Sequence, residues 1–260
     1  MPAQWTCLVL AGQRPGTDPL AYHFGLRLKA LVTLGGEPML SRVIRTLDQS
    51  PHIGKIFVLA QDVEALQEAT DAGGDATLVQ SASSISLSIK TQIEAMGFTS
   101  PVFVTTADHP LLTGEMVDEF LTKASGDVAV AMVERKAMLA QFPDAKRTWL
   151  RFSDGAWSGA NMFALMTPKS VAALDLWAQA EQDRKKAWKL FGHFGLWLAL
   201  RAVTRTIGLE AALGKAGNRL GLKAQLVSMS DPVAAIDVDK ISDHELAEAI
   251  LNQRWRHSAT

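Results

Sequence analysis

Only one cysteine, Cys7, occurs in 260 residues, so no internal disulfide can form and no cysteine cage can hold a metal. It sits inside an apolar run, where a buried, inert thiol is expected rather than a nucleophile. Excess charge of one sign is missing as well. The 26 Lys and Arg stand against 27 Asp and Glu, a formal net charge of -1, so nucleic-acid binding, which needs a basic face, is not expected. There is no N-terminal basic-then-apolar signal, and the charge-free stretch near Leu190 to Leu200 is too short to cross a bilayer. A cytoplasmic location is expected, with the membrane face left open. Pro/Gly/Ser linkers, low-complexity tracts and internal repeats are absent. With 48% apolar and 20% charged residues, the chain is expected to form one domain, 1–260.

What is present is an alternation. "WTCLVLAG", "GKIFVLAQ", "ATLVQS", "PVFVTTADHPLL" and "DVAVAMV" read as strands. Between them, "PMLSRVIRTLDQS", "DVEALQEATDAGG", "ISLSIKTQIEAM" and "TGEMVDEFLTKAS" carry helical spacing with Asp or Thr at the N-cap or glycine at the stop. Strands alternating with helices predict an α/β fold with a doubly wound, mostly parallel sheet, whose ligands sit outside the carboxyl ends of the strands. The ending "AAIDVDKISDHELAEAIL" reads as a strand, an acidic turn and a helix. Beyond Val133 the character changes, and five tryptophans fall between Trp149 and Trp197. A helical insertion on the acceptor side is expected over residues 169–230.

The opening "LVLAGQRPGTDPLAYHFGLRLKALVTLGGEPML" ends a buried strand in a small-residue turn, with Arg14, Arg27 and Lys29 close behind. Such a turn aims backbone N–H groups at a phosphate, and cations neutralise it. The pattern is neither G-x-G-x-x-G nor G-x-x-x-x-G-K-[ST]. A second element is "TTADHPLL": Asp108, at a strand end before a proline turn, either caps that turn or holds Mg²⁺. The third is "IDVDK", with Asp237 and Asp239, followed by Asp243 as a helix cap. Carboxylates far apart in sequence can converge on one metal. No activated serine and no histidine–carboxylate pair stands out.

These residues resemble the nucleotidyltransferases with a glycosyltransferase-A-like, Rossmann-like fold. Molybdenum cofactor guanylyltransferase, methylerythritol phosphate cytidylyltransferase and the sugar-1-phosphate nucleotidyltransferases are members. The resemblance rests on "LAG", Arg14, Lys29 and the "L-x-x-L-G-G-x-P-M-L" run, on Asp108-His109-Pro110 against a D-x-P motif, and on "DVDKISDHEL" against a closing D-[IV]-D-T-P-E-D-L. It departs at Gln13, where a glycine is usual, in the long segment between Arg14 and Lys29, and at Lys240 and Ile241 in place of Thr-Pro. It implies a nucleotide site formed by Leu10, Ala11, Gly12, Gln13, Arg14, Lys29 and Asp108, with Arg14, Lys29 and Asp108 catalytic. Ser83, Ser84 and Ser88 are implied at the base or ribose, or serve as an ordinary N-cap cluster. Mg²⁺ is implied on Asp108 with Asp237 or Asp239. Gly159 and Asn161 resemble a Gly-x-Asn turn facing the acceptor. Arg147, Lys185 and Lys186 are expected on the same side.

The implied reaction is Mg²⁺-dependent transfer of a nucleoside monophosphate from a nucleoside triphosphate, CTP or GTP first, to a phosphorylated acceptor, with release of pyrophosphate. A small-molecule or lipid-linked phosphate would serve. Two rivals differ in residues. A glycosyltransferase using a nucleotide sugar usually wants Asp-x-Asp at the strand end, where this chain has Asp-His-Pro. A non-catalytic nucleotide-binding or cofactor-delivery protein would keep the loop without needing both aspartate clusters. The basic, aromatic stretch from Arg184 to Arg205 is expected to pack within the protein or in a homo-oligomer, with peripheral membrane contact as the alternative.

Overall fold

A computed structural model describes residues 4–13, 16–182, 201 and 204–258. The chain begins with strand β1 (Trp5–Leu10), a short helix α1 (Pro19–His23) and a 3-10 turn at Lys29–Leu31. A tight hairpin, β2 (Thr33–Leu34) and β3 (Glu37–Pro38), follows. It turns on Gly35 and Gly36 at φ 61° and 81°, a conformation that glycine adopts without strain. Next come α2 (Met39–Asp48), β4 (Ile53–Ala60), α3 (Val63–Gly73), β5 (Thr77–Gln80), α4 (Ile85–Met96), β6 (Val102–Thr106), α5 (Gly114–Lys123), β7 (Val128–Glu134) and α6 (Arg135–Gln141). The second half adds β8 (Leu150–Phe152), β9 (Gly155–Leu165), α7 (Val171–Gln182), α8 (Leu209–Arg219), β10 (Ala224–Ser228) and α9 (Ile241–Ser258). Asp62, Ser84 and Thr113 cap α3, α4 and α5 by accepting backbone N–H groups with their side chains.

The main sheet runs β10-β7-β9-β6-β1-β4-β5, with β8 paired to β9. All pairings are parallel except those made by β9, which lies antiparallel between β6 and β7 and turns back on β8. Alternation along β1 explains the layers. Cys7 and Val9 point into a core shared with Val43, Ile44, Leu66, Val117 and Phe120, while Leu8 points the other way, among Ile89, Ile93 and Leu174. Helices α2, α3, α5 and α9 thus cover one face, and α4 and α7 the other, giving a three-layer α/β sandwich around the expected doubly wound sheet. Burial pushes the Cys7 thiol far above its usual pKa, as an inert core residue requires.

The stretch 169–230, expected to be a helical insertion, holds α7 and α8 but also the edge strand β10. The expected strand at "AAI" is instead a 3-10 turn, Pro232–Ala235. Asp231 caps it by accepting from Val233 N, and a proline at the turn's start suits a helical turn rather than a ladder. Among the described residues no helix is long and apolar enough to cross a membrane.

Candidate active site

The carboxyl ends of β1, β4 and β6 lie side by side because their ladders are parallel and in register. Backbone bonds continue that alignment past the strands, from Ala11 N to Leu59 O and from Ala107 N to Leu10 O, both at 3.0 Å. The loop before α9 joins through Val238 N, which donates to Asp108 O at 2.9 Å. Four chain segments far apart in sequence therefore meet at one sheet edge.

Lys29 lies at their centre. Its Nζ donates to Asp108 Oδ2 at 2.6 Å and to Asp239 Oδ1 at 2.5 Å, with the lysine side chain only 17% exposed. Burial works against the ammonium, but the two carboxylates outweigh it and hold the pKa above the usual lysine value. Thr106 Oγ1 donates to the other oxygen of Asp108. Asp239 N is held by Asp243 Oδ2 at 3.3 Å, so Asp243 secures the start of α9 and the loop before it.

Asp237 belongs to a neighbouring arrangement. Arg147 places Nη1 2.6 Å from Asp237 Oδ1 and Nη2 3.1 Å from Asp237 O, and Asn161 Nδ2 approaches Asp237 Oδ2 at 3.3 Å. Burial raises the Asp237 pKa, with Arg147 opposing and the charges of Asp108 and Asp239 adding to the rise. Asn161 has φ 49° and lies where the β7–β9 register shifts, between the pairs Val130–Phe163 and Met132–Gly159. The extra β9 residues break the pleat there, and asparagine tolerates the left-handed backbone that results. Arg147, Ser158, Asn161, Asp237, Asp239 and Lys240 line a hollow of about 580 Å³ at this edge. A wider hollow of about 1000 Å³, beside Glu115, Glu119 and Arg254, contains none of the expected site residues.

Gln13 has a role that its sequence position only hinted at. Its Nε2 donates to Arg27 O at 3.0 Å and its Oε1 accepts from Lys29 N at 3.2 Å. The side chain thus ties together the two ends of the long segment before Lys29. Its own N–H donates to Gln61 Oε1 at 3.0 Å, and the same Gln61 amide fills the space a Cβ on Gly12 would need, at 2.8 Å. A Cβ at position 12 would displace the end of the Gln61 side chain and with it the bond that Gln13 N donates to Gln61 Oε1.

The remaining expected residues divide. Leu10 ends β1, Ala11 is buried, and Gly12 is exposed at the turn. Ser84 and Ser88 are engaged locally: Ser84 caps Leu87 N at 3.2 Å, and Ser88 Oγ donates to Ser84 O at 2.7 Å while accepting from Ala82 N at 2.9 Å. Ser83 is exposed, and so is Gly159 on β9. Arg14, Lys185 and Lys186 lie outside the described residues, as does most of the stretch that begins at Arg184. His109 is fully buried, and neither ring nitrogen makes a well-formed hydrogen bond. Burial holds its pKa down to about 4, against the pull of Asp108 and a weak approach of the Ala234 backbone.

As a donor set, Asp108 and Asp239 offer hard oxygens with a cation already between them. That suits Mg²⁺, which takes one or two carboxylates and completes its shell with phosphate oxygens and water. Among the described residues no three His, Cys, Asp or Glu side chains converge as a ready-made metal cage.

Residues 7–219 match the family model described as "MobA-like NTP transferase domain". Among solved structures, the chain is similar to a hypothetical transferase from Thermus thermophilus. The TM-score is 0.77 at 26% identity, over 93% of this chain and 99% of that one. A 4-diphosphocytidyl-2C-methyl-D-erythritol synthase from Anaerococcus prevotii shares the fold with TM-score 0.60 at 12% identity, over 96% of each chain. So does a CMP:2-keto-3-deoxy-manno-octonic acid synthetase complexed with CTP. There the TM-score is 0.56 at 14% identity, over 96% of this chain and 100% of that one. No curated protein sequence matches.

Proposed function

The chain belongs to the MobA-like NTP transferase family, and from that premise we propose that it joins a nucleoside monophosphate to a phosphorylated acceptor. The donor is a nucleoside triphosphate, with CTP and GTP the first to test, and the reaction depends on Mg²⁺ and releases pyrophosphate. The observation that carries this reading is Lys29 held between Asp108 and Asp239 at the carboxyl edge of the sheet.

Each group has a part. Lys29 stays charged through the working pH range and neutralises the triphosphate. Asp108 and Asp239 would hold Mg²⁺, which would supply charge neutralisation at the phosphates. Arg14 joins Lys29 at the triphosphate. The hollow beside Arg147, Asn161 and Lys240 receives the acceptor, whose phosphate oxygen attacks the α-phosphorus as pyrophosphate leaves. Such a reaction asks for positioning and charge neutralisation more than for a covalent nucleophile. The residue types agree: cations and carboxylates converge, while His109 is sealed in the core.

The test is pyrophosphate release from each of the four NTPs, with Mg²⁺ and a panel of phosphorylated acceptors. Asp108→Asn is expected to lower turnover by roughly 10²-fold or more while leaving NTP binding only partly weakened. Full Mg²⁺-dependent release by Asp108→Asn would overturn the assignment.

A further inference from the structure

We infer that the Lys29 ammonium is a resident cation that keeps divalent metal out of the nucleotide-free site, so that metal is captured only together with a triphosphate. The inference rests on the reading above, in which Asp108 and Asp239 hold the metal.

The geometry supplies the first half. Lys29 Nζ contacts Asp108 Oδ2 at 2.6 Å and Asp239 Oδ1 at 2.5 Å, the short distances of charge-assisted bonds. The second Asp108 oxygen is taken by the Thr106 hydroxyl, and the Asp108 side chain is only 19% exposed. The adjacent Asp237 is occupied by Arg147 and Asn161. An entering metal would therefore break two ion-pair contacts and then sit against a partly buried ammonium, with nothing to receive that charge. Like charges brought together in a partly desolvated place repel strongly.

A triphosphate changes the balance. It offers the ammonium a richer anionic partner, and once Lys29 turns toward it, the largely buried Asp108 is left without a counter-charge, beside the exposed Asp239. A buried carboxylate stripped of its partner is costly, and a divalent cation bridging those oxygens and the phosphates removes that cost. The exchange requires little of the backbone. Lys29 N is anchored to Gln13 Oε1 at 3.2 Å within a 3-10 turn, so the flexible four-carbon stem alone moves.

Mn²⁺ is the probe, followed by electron paramagnetic resonance of the free ion during titration of the full-length protein. Three conditions are compared: protein alone, protein with an α,β-methylene NTP that cannot turn over, and the analogue alone. The wild-type protein without nucleotide is expected to bind Mn²⁺ weakly. Lys29→Gln without nucleotide is expected to bind it roughly tenfold tighter, because the competing cation is gone. Lys29→Ala serves as a second variant, with circular dichroism confirming that each is folded. The double variant Lys29→Gln/Asp108→Asn should lose the gain. Equal Mn²⁺ affinity of the wild type and both Lys29 variants overturns the exclusion while leaving the carboxylate site in place. A gain that survives Asp108→Asn overturns the site itself, and with it the reading on which the inference stands.

Discussion

Gln13 shows how one substitution against a family pattern can be built into the site. Its amide spans Arg27 O and Lys29 N, so the long segment between residues 13 and 29 leaves and rejoins the site at fixed points. Gln13→Gly removes both bonds, worth about 1–3 kcal/mol together, and adds backbone freedom worth about 1 kcal/mol. The expected result is an NTP KM raised about tenfold or more with kcat nearly unchanged, together with a melting temperature lowered by several degrees. A fall in melting temperature with KM intact would show that Gln13 serves the fold instead. His109 makes the opposite kind of demand. The unfolded chain takes up a proton near the usual pKa of 6.5, while the folded chain resists until about 4. Stability contributed by the neutral ring is thus full above 6.5 and is lost as pH falls through that window, by on the order of 3 kcal/mol. Denaturation with urea at pH 7 and pH 5 should show a smaller loss in His109→Leu than in the wild type. At this scale strand ends and short motifs mark Lys29, Asp108 and the alternatives Asp237 and Asp239 in the sequence, but not that Lys29 bridges Asp108 and Asp239. The Arg147–Asp237 pair was not, since Arg147 comes from an irregular segment 90 positions away that carries no periodic signal.

At the scale of elements, the first half was readable because its strands are short and alternate with helices, three of them capped by Asp62, Ser84 and Thr113. The β8–β9 hairpin escaped because β9 has 11 residues and is broken by the irregularity that carries Asn161, so no single alternation runs through it. That irregularity is also what turns Asn161 toward Asp237, a contact invisible to any reading of a regular strand. Helix packing gives a sharper test. Gly73, the last residue of α3, lies so close to α2 that a Cβ would meet Ile44 Cβ at 2.7 Å and Ser41 O at 3.0 Å. Alanine gains about 1 kcal/mol in helix propensity, but overpacking against a core side chain and a carbonyl costs typically 1–3 kcal/mol, and neither neighbour is a flexible end. Gly73→Ala is therefore expected to lower the urea midpoint. Nucleotide affinity should hold, because α3 starts near the carboxyl end of β4 and finishes at the opposite edge of the sheet. An unchanged midpoint would mean that α2 and α3 can part without cost.

For the whole molecule, the consequence of the topology is that the site exists only when the fold does. Gln13 and Lys29 come from the first connection, Asp108 from the end of β6, and Asp239 from the loop before α9, and the sheet order brings all of them to one edge. An unfolded chain cannot assemble that set, so ligand binding must appear as added global stability. At a free concentration about 100 times its Kd, a correct NTP with Mg²⁺ should add about 2.7 kcal/mol. A chain of this size gains roughly 2–4 °C per kcal/mol, which puts the rise near 5–10 °C. Because Lys29 occupies the two carboxylates beforehand, Mg²⁺ alone should give almost no shift and NTP with chelator a partial one. Their combination should exceed the sum of the separate effects. Differential scanning fluorimetry across the four NTPs, each with Mg²⁺ or EDTA, reads out both the base accepted and this synergy. A full shift from Mg²⁺ alone would show that the carboxylates are open before nucleotide arrives. No shift from any NTP at saturating concentration would remove the edge of the sheet as the nucleotide site.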